Sequence, residues 1–136
     1  MKRHWIEYHP TAPTTPMTPW VHRPTNGQPF YTAHAFDPPR PGPIGDRGYA
    51  LYLVTVRDVT LEFSSLDELR HGIAVLERKL LPRLQDLAAT VRAHAGRANA
   101  HWLSRLPSAL KPWRVREPTV AYLRQALADW ERPTRG

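Results

Sequence analysis

Residues 49–81 read YALYLVTVRDVTLEFSSLDELRHGIAVLERKLL, and the fold is decided there. Leu51, Leu53 and Thr55 alternate with Tyr52, Val54 and Val56, so this strand is apolar on both faces and belongs at the centre of a sheet. Arg57 and Asp58 make a tight turn or bulge. Val59, Leu61 and Phe63 then point one way while Thr60, Glu62 and Ser64 point the other, the pattern of a strand with one wet face. Ser65 is placed to cap a helix, and Glu68 three residues later completes a capping box. Asp67 and Glu68 suit the positive pole of its first turn. Leu69, Ile73, Leu76 and Leu80 form its apolar stripe.

The stripe runs on in phase through Leu84, Leu87 and Val91 although Pro82 intervenes. That predicts either one helix kinked at Pro82 or two nearly collinear ones, with Gly96 as the stop. A stripe this long outruns a small sheet, so the C-terminal helices or a second copy of the chain must cover the excess. Asn99 is a cap for a short helix ending near Leu106, before Pro107. A last helix starts at Pro112 or Pro118, both suited to a first turn, with a stripe of Val120, Leu123, Leu127 and Trp130. Pro133 ends it.

Upstream, His4–Tyr8 (HWIEY) alternates and reads as a first strand or a docked arm. Pro10, Pro13, Pro16 and Pro19 recur every third residue, the spacing of a polyproline II edge. An arm lying on its own domain between Trp5 and Trp20 explains them more simply than a ligand for an aromatic groove. Asn26-Gly27 predicts a type I′ hairpin between strands near Trp20–Arg23 and Gln28–Phe36, with Pro24 and Pro29 marking an edge. Asp37–Gly48 is a Pro/Gly loop. Its glycines do not make a phosphate loop, since no strand leads in and no Lys-Ser/Thr closes it. Arg40 and Arg47 could still contact an anion.

The expected fold is therefore α+β: a small antiparallel sheet of three to five strands, a long or kinked helix, and two further helices. The 136 residues suit a single domain. Its parts are a Pro-rich arm (1–19), a sheet (20–64) and a helical part (65–132).

Composition narrows function by exclusion. With no Cys there are no disulfides, thiolate metal sites or Cys nucleophiles. None of the seven histidines sits in a metal-binding pair or an H-E-x-x-H motif. His71 reads as a boundary residue of the central helix. Ser64 and Ser65 lack a nucleophile elbow. Asp58 and Glu62 lack the Lys that would make a nuclease pair. We expect no enzyme, no metal and no cofactor. No apolar run approaches a membrane span and no apolar region follows the basic N-terminus, so a cytoplasmic protein is expected.

The net charge is +7, nearly all of it arginine. Arg over Lys with many Ala and Pro points to a GC-rich bacterial genome, and Arg also suits phosphate recognition. The charge is uneven: residues 49–81 carry four cations and five anions, whereas residues 82–136 carry ten and four. Within that basic third, Trp102, Arg105, Lys111, Trp113, Arg114, Arg116 and Arg124 interleave rings with cations. Cations hold phosphates and aromatic faces stack on bases. The same pattern would also arise from core tryptophans with solvated arginines around them. A helix-turn-helix fits poorly, because the Pro107–Lys111 connection is too long.

The expectation is a small basic binding protein, with DNA or RNA as partner through these seven residues. The alternative is a protein-binding inhibitor or accessory factor of a bacterial mobile element or phage. An enzyme of unrecognised type ranks below both. A homodimer is compatible with each.

Overall fold

The computed structural model describes residues 2–78, 102 and 106–132. Its main sheet has three antiparallel strands: β1 (Arg3–His9), β4 (Tyr49–Val56) and β5 (Val59–Phe63), in the order β1-β4-β5. The doubly apolar strand is the central one, as its pattern requires. Arg57 and Asp58 both take positive φ (52° and 66°), so β4 and β5 form a two-residue hairpin.

β1 pairs with β4 along its whole length, from Arg3↔Thr55 to His9↔Tyr49. The first residues are thus an edge strand, and the extended arm reduces to the segment after it. That segment is no polyproline rod either. Thr15 and Met17 turn into the core, and Thr18–Val21 form a single helical turn, α1, with Pro19 in its first positions. Pro19 has its φ preset for a first turn, which is why Trp20 and Val21 are helical and only Arg23 of the expected Trp20–Arg23 strand pairs.

The Asn26-Gly27 hairpin is also reduced. Only Gly27 has positive φ (72°), and the ladder is two residues on each side, β2 (Arg23–Pro24) against β3 (Phe36–Asp37). Pro24 and Pro29 cannot donate to a ladder, and Phe30–Thr32 coils into a 3-10 turn instead.

Two helices cover one face of the main sheet. α2 (Leu66–Leu76) starts where its capping signal places it, with the Ser65 hydroxyl accepting from the Glu68 amide at 3.1 Å. Leu69, Ile73 and Leu76 are buried. α3 (Trp113–Glu131) starts after Pro112 and runs through Pro118. An internal proline forfeits a hydrogen bond and costs about 3 kcal/mol. Burial of Val115, Val120 and Leu123, at about 1.5–3 kcal/mol each, outweighs that loss.

Both helices pack on Val54, Val56 and Phe63 from the sheet. They run antiparallel, since Arg70 pairs with Glu131 (2.7 Å) and Glu77 with Arg124 along the same seam. Gly72 lets Phe63 and Met17 close against α2. The stripe beyond Pro82, the Gly96 stop and the helix from Asn99 lie outside the described residues. Trp102 and Leu106 are described and both are buried in the core. Among the described residues no helix is long and apolar enough to cross a membrane.

Candidate functional site

The seven residues singled out by the charge pattern separate into distinct groups. Trp102 is 5% exposed, packed in the core, and its indole N–H donates to His71 Nε2 at 2.9 Å. Arg105 lies outside the described residues. Arg124 is exposed but engaged with Glu77. Lys111, Trp113, Arg114 and Arg116 meet at one corner, where α2 ends and α3 begins.

Arg116 builds that corner and is itself only 3% exposed. Its Nε donates to the Lys111 carbonyl at 2.6 Å. Its Nη1 donates to the Leu76 carbonyl at 2.9 Å and also to the Arg78 carbonyl. Leu76 is the last residue of α2 and Arg78 lies just beyond its C-cap, and α2 has no basic residue in its own last turn. One guanidinium from α3 thus satisfies the orphan carbonyl of Leu76 and opposes the negative pole of α2. Burial pushes the Arg116 pKa below the ordinary arginine value. Arginine nonetheless stays charged in proteins. Its guanidinium carbon lies 5.1 Å from the Trp113 ring centroid, a cation–π distance.

The consequence is a local concentration of positive charge. Arg116 ties the backbone of Arg78 and Lys111 to the first turn of α3, which carries the exposed Arg114. That turn has no acidic residue and no side-chain cap, so its positive pole is uncompensated. Arg78 and Arg114 are exposed, while Lys111 and the Trp113 ring are half-buried beside them. Arg40 and Arg47 do not join this corner. Arg40 donates to the Pro13 carbonyl at 2.9 Å and lies over Phe30, and Arg47 reaches the Tyr8 hydroxyl at 3.4 Å.

A second cluster has no signature in the sequence pattern. Glu68 is fully buried, and its carboxylate accepts from the Thr15 hydroxyl (2.6 Å), the Thr18 hydroxyl (2.8 Å), the Ser64 amide (3.0 Å) and the Ser64 hydroxyl. The capping box is therefore offset: the carboxylate takes the Ser64 amide rather than returning to Ser65. His22, also fully buried, places Nε2 2.7 Å from Ser65 Oγ. Its Nδ1 donates to the Pro38 carbonyl at 2.7 Å, since a carbonyl can only accept.

A serine, a histidine and a nearby carboxylate suggest a hydrolase, but this set is closed. Ser65 is 1% exposed and its hydroxyl already accepts the Glu68 amide. A nucleophile needs room for a reacting atom beside it. The cluster instead ties the segment after β1, the loop at Pro38 and the start of α2 to one another.

His71 lies in the middle of α2 and is partly buried. Accepting the Trp102 N–H on Nε2 leaves its proton on Nδ1. Burial, with the Arg23 charge adding to it, pushes its pKa below the ordinary value, and Glu68 opposes weakly. Among the described residues no group of three or more His, Asp or Glu side chains is placed to hold a metal ion.

No protein-family model, curated protein or solved structure matches the chain.

Proposed function

We propose that the protein is a non-enzymatic nucleic-acid binder that contacts the phosphate backbone through the corner formed by Arg78, Lys111 and Arg114, with Trp113 beside them. One observation supports this above the others: the buried Arg116 fastens α2 to α3 and thereby gathers exposed cations around an uncompensated helix start. Phosphates are recognised by clustered cations and helix N-termini together. The Trp113 ring, half-buried and backed by a guanidinium, offers a stacking face for an unpaired base. This favours a single strand or a strand end over duplex. A backbone-directed surface of this size predicts weak sequence preference.

Residues that the charge pattern treats alike then have different jobs. Arg114, Lys111 and Arg78 contact phosphate, Arg116 holds the corner together, and Trp102 belongs to the core. Fluorescence anisotropy with labelled mixed-sequence DNA and RNA, titrated at several salt concentrations, tests it. Binding that weakens steeply with salt, and is reduced by Arg114→Ala at unchanged stability, is the expected result. Undetectable binding at low salt contradicts it.

A further inference from the structure

β5 is an outer strand of the main sheet, and among the described residues no strand pairs with its free edge. Val56 and Val59 flank the two-residue turn and so exchange both of their hydrogen bonds. The ladder alternates from there. Thr60 and Glu62, opposite Thr55 and Leu53, therefore turn their N–H and C=O groups outward. Natural sheets blunt such an edge with Lys, Pro or a bulge. The sequence of β5, VTLEF, has no Lys and no Pro, and its register with β4 is unbroken. Alongside the edge, on the face toward α2, runs an apolar groove of about 280 Å³ lined by Leu61, Leu76, Trp102 and Leu106.

The strand is complementary to itself. Read antiparallel about Leu61, Val59 faces Phe63, Thr60 faces Glu62, and Leu61 faces Leu61 of the other copy. Aromatic with β-branched, hydroxyl with carboxylate, and Leu with Leu are all favourable cross-strand pairs. Charge points the same way. The chain carries +7, so two copies repel one another overall. β5 holds one charge, Glu62, and this register sets it opposite a threonine rather than its own copy.

We propose that a second copy of the chain pairs with β5 across a two-fold axis at Leu61, joining the two sheets into one. The outward groups of Thr60 and Glu62 form about four hydrogen bonds between the copies. The Leu61 side chain of each copy enters the groove of the other. This inference is independent of nucleic-acid binding and uses none of the cations at the basic corner.

The test exploits a chain without cysteine. In this register Leu61 and its copy form a non-hydrogen-bonded pair with Cα atoms about 4.5 Å apart. That is within disulfide range. Thr60 and its copy are offset by two residues and lie beyond the limit of about 7 Å. Sedimentation of the full chain should show a dimer. Under mild oxidation, Leu61→Cys should cross-link about tenfold faster than Thr60→Cys. Thr60→Pro, which removes an outward N–H without touching the ladder to β4, should give a monomer of unchanged circular dichroism. A wild-type protein that sediments as a monomer up to about 100 μM overturns the proposal. So does equal cross-linking of the two cysteine variants. Should Leu61→Cys fail to fold, wild-type sedimentation and Thr60→Pro decide the matter.

Discussion

Trp102 donates its indole N–H to His71 Nε2 at 2.9 Å, which joins a core tryptophan to the middle of α2 and requires a neutral imidazole. Protonating Nε2 would break the bond and place a cation near Arg23. The pKa of His71 is accordingly depressed, first by burial and then by that charge. The unfolded chain holds the ordinary value of about 6.5 and so takes up the proton first as pH falls. The stabilisation is complete above about pH 6.5 and is lost progressively as pH drops below it toward the folded value. Urea titrations at about pH 7.5 and 5.5 should show a larger loss for wild type than for His71→Gln. Equal losses in the two proteins would sink this assignment.

Glu68 gathers donors from two separate stretches of chain, Thr15 and Thr18 in one and Ser64 in the other. Glu68→Ala leaves the Thr15, Thr18 and Ser64 hydroxyls and the Ser64 amide without their acceptor in the core. A buried polar group left unsatisfied costs about 1–3 kcal/mol. The hydroxyls can partly re-pair with one another, as the 3.2 Å approach of Thr18 to Ser64 indicates. A total loss of about 3 kcal/mol is expected from denaturant unfolding. Ser65→Ala should cost about 1–2 kcal/mol, since it removes the helix cap and the partner of His22. A Glu68→Ala loss no larger than that of Ser65→Ala would contradict the cluster's role.

Arg116 and Arg114 are two residues apart and do opposite things. Arg116→Ala removes the donor to the Leu76, Arg78 and Lys111 carbonyls and leaves a cavity beneath Trp113. It should lower stability by about 2–3 kcal/mol. Arg116→Lys should recover little, because a single ammonium cannot reproduce the planar fork. Arg114→Ala should change stability by less than about 0.5 kcal/mol, as usual for an exposed position. Thermal melts of the three variants check the contrast.

Gly48 sits at φ 99°, where a side chain is strained, and a Cβ there would overlap the His9 carbonyl. The glycine thus permits the loop before β4 to close against the end of β1. Gly48→Ala should destabilise by more than about 1 kcal/mol, whereas Gly42→Ala, with open space around it, should not. Comparable melting temperatures for the two would contradict the close approach.

The central unit was readable because its signals are local. A period of two, a two-residue turn and a serine cap need no distant partner to be interpreted. β1 was harder: the alternation in HWIEY was visible, but its pairing with β4 depends on contacts some 50 residues away. The Asn26-Gly27 turn misled because neighbouring prolines limit the ladder it would have closed. At the basic corner, charge pattern alone could not say which cation turns inward. Helical phase could have done so: Arg116 falls seven residues before Leu123 and four before Val120, squarely on the buried stripe of α3. Trp102 offered no such clue. The Glu68 cluster was invisible for another reason, since its donors come from separate segments that only the folded chain brings together.

The most direct measurement of the central proposal is the salt dependence of nucleic-acid binding by the wild type and by a variant carrying Arg78→Ala, Lys111→Ala and Arg114→Ala. Each phosphate contact contributes about 0.7 to the slope of log K against log salt for a single strand. The slope should fall by about 2 in the triple variant, with its melting temperature close to wild type. An unchanged slope and affinity in a folded triple variant would contradict it.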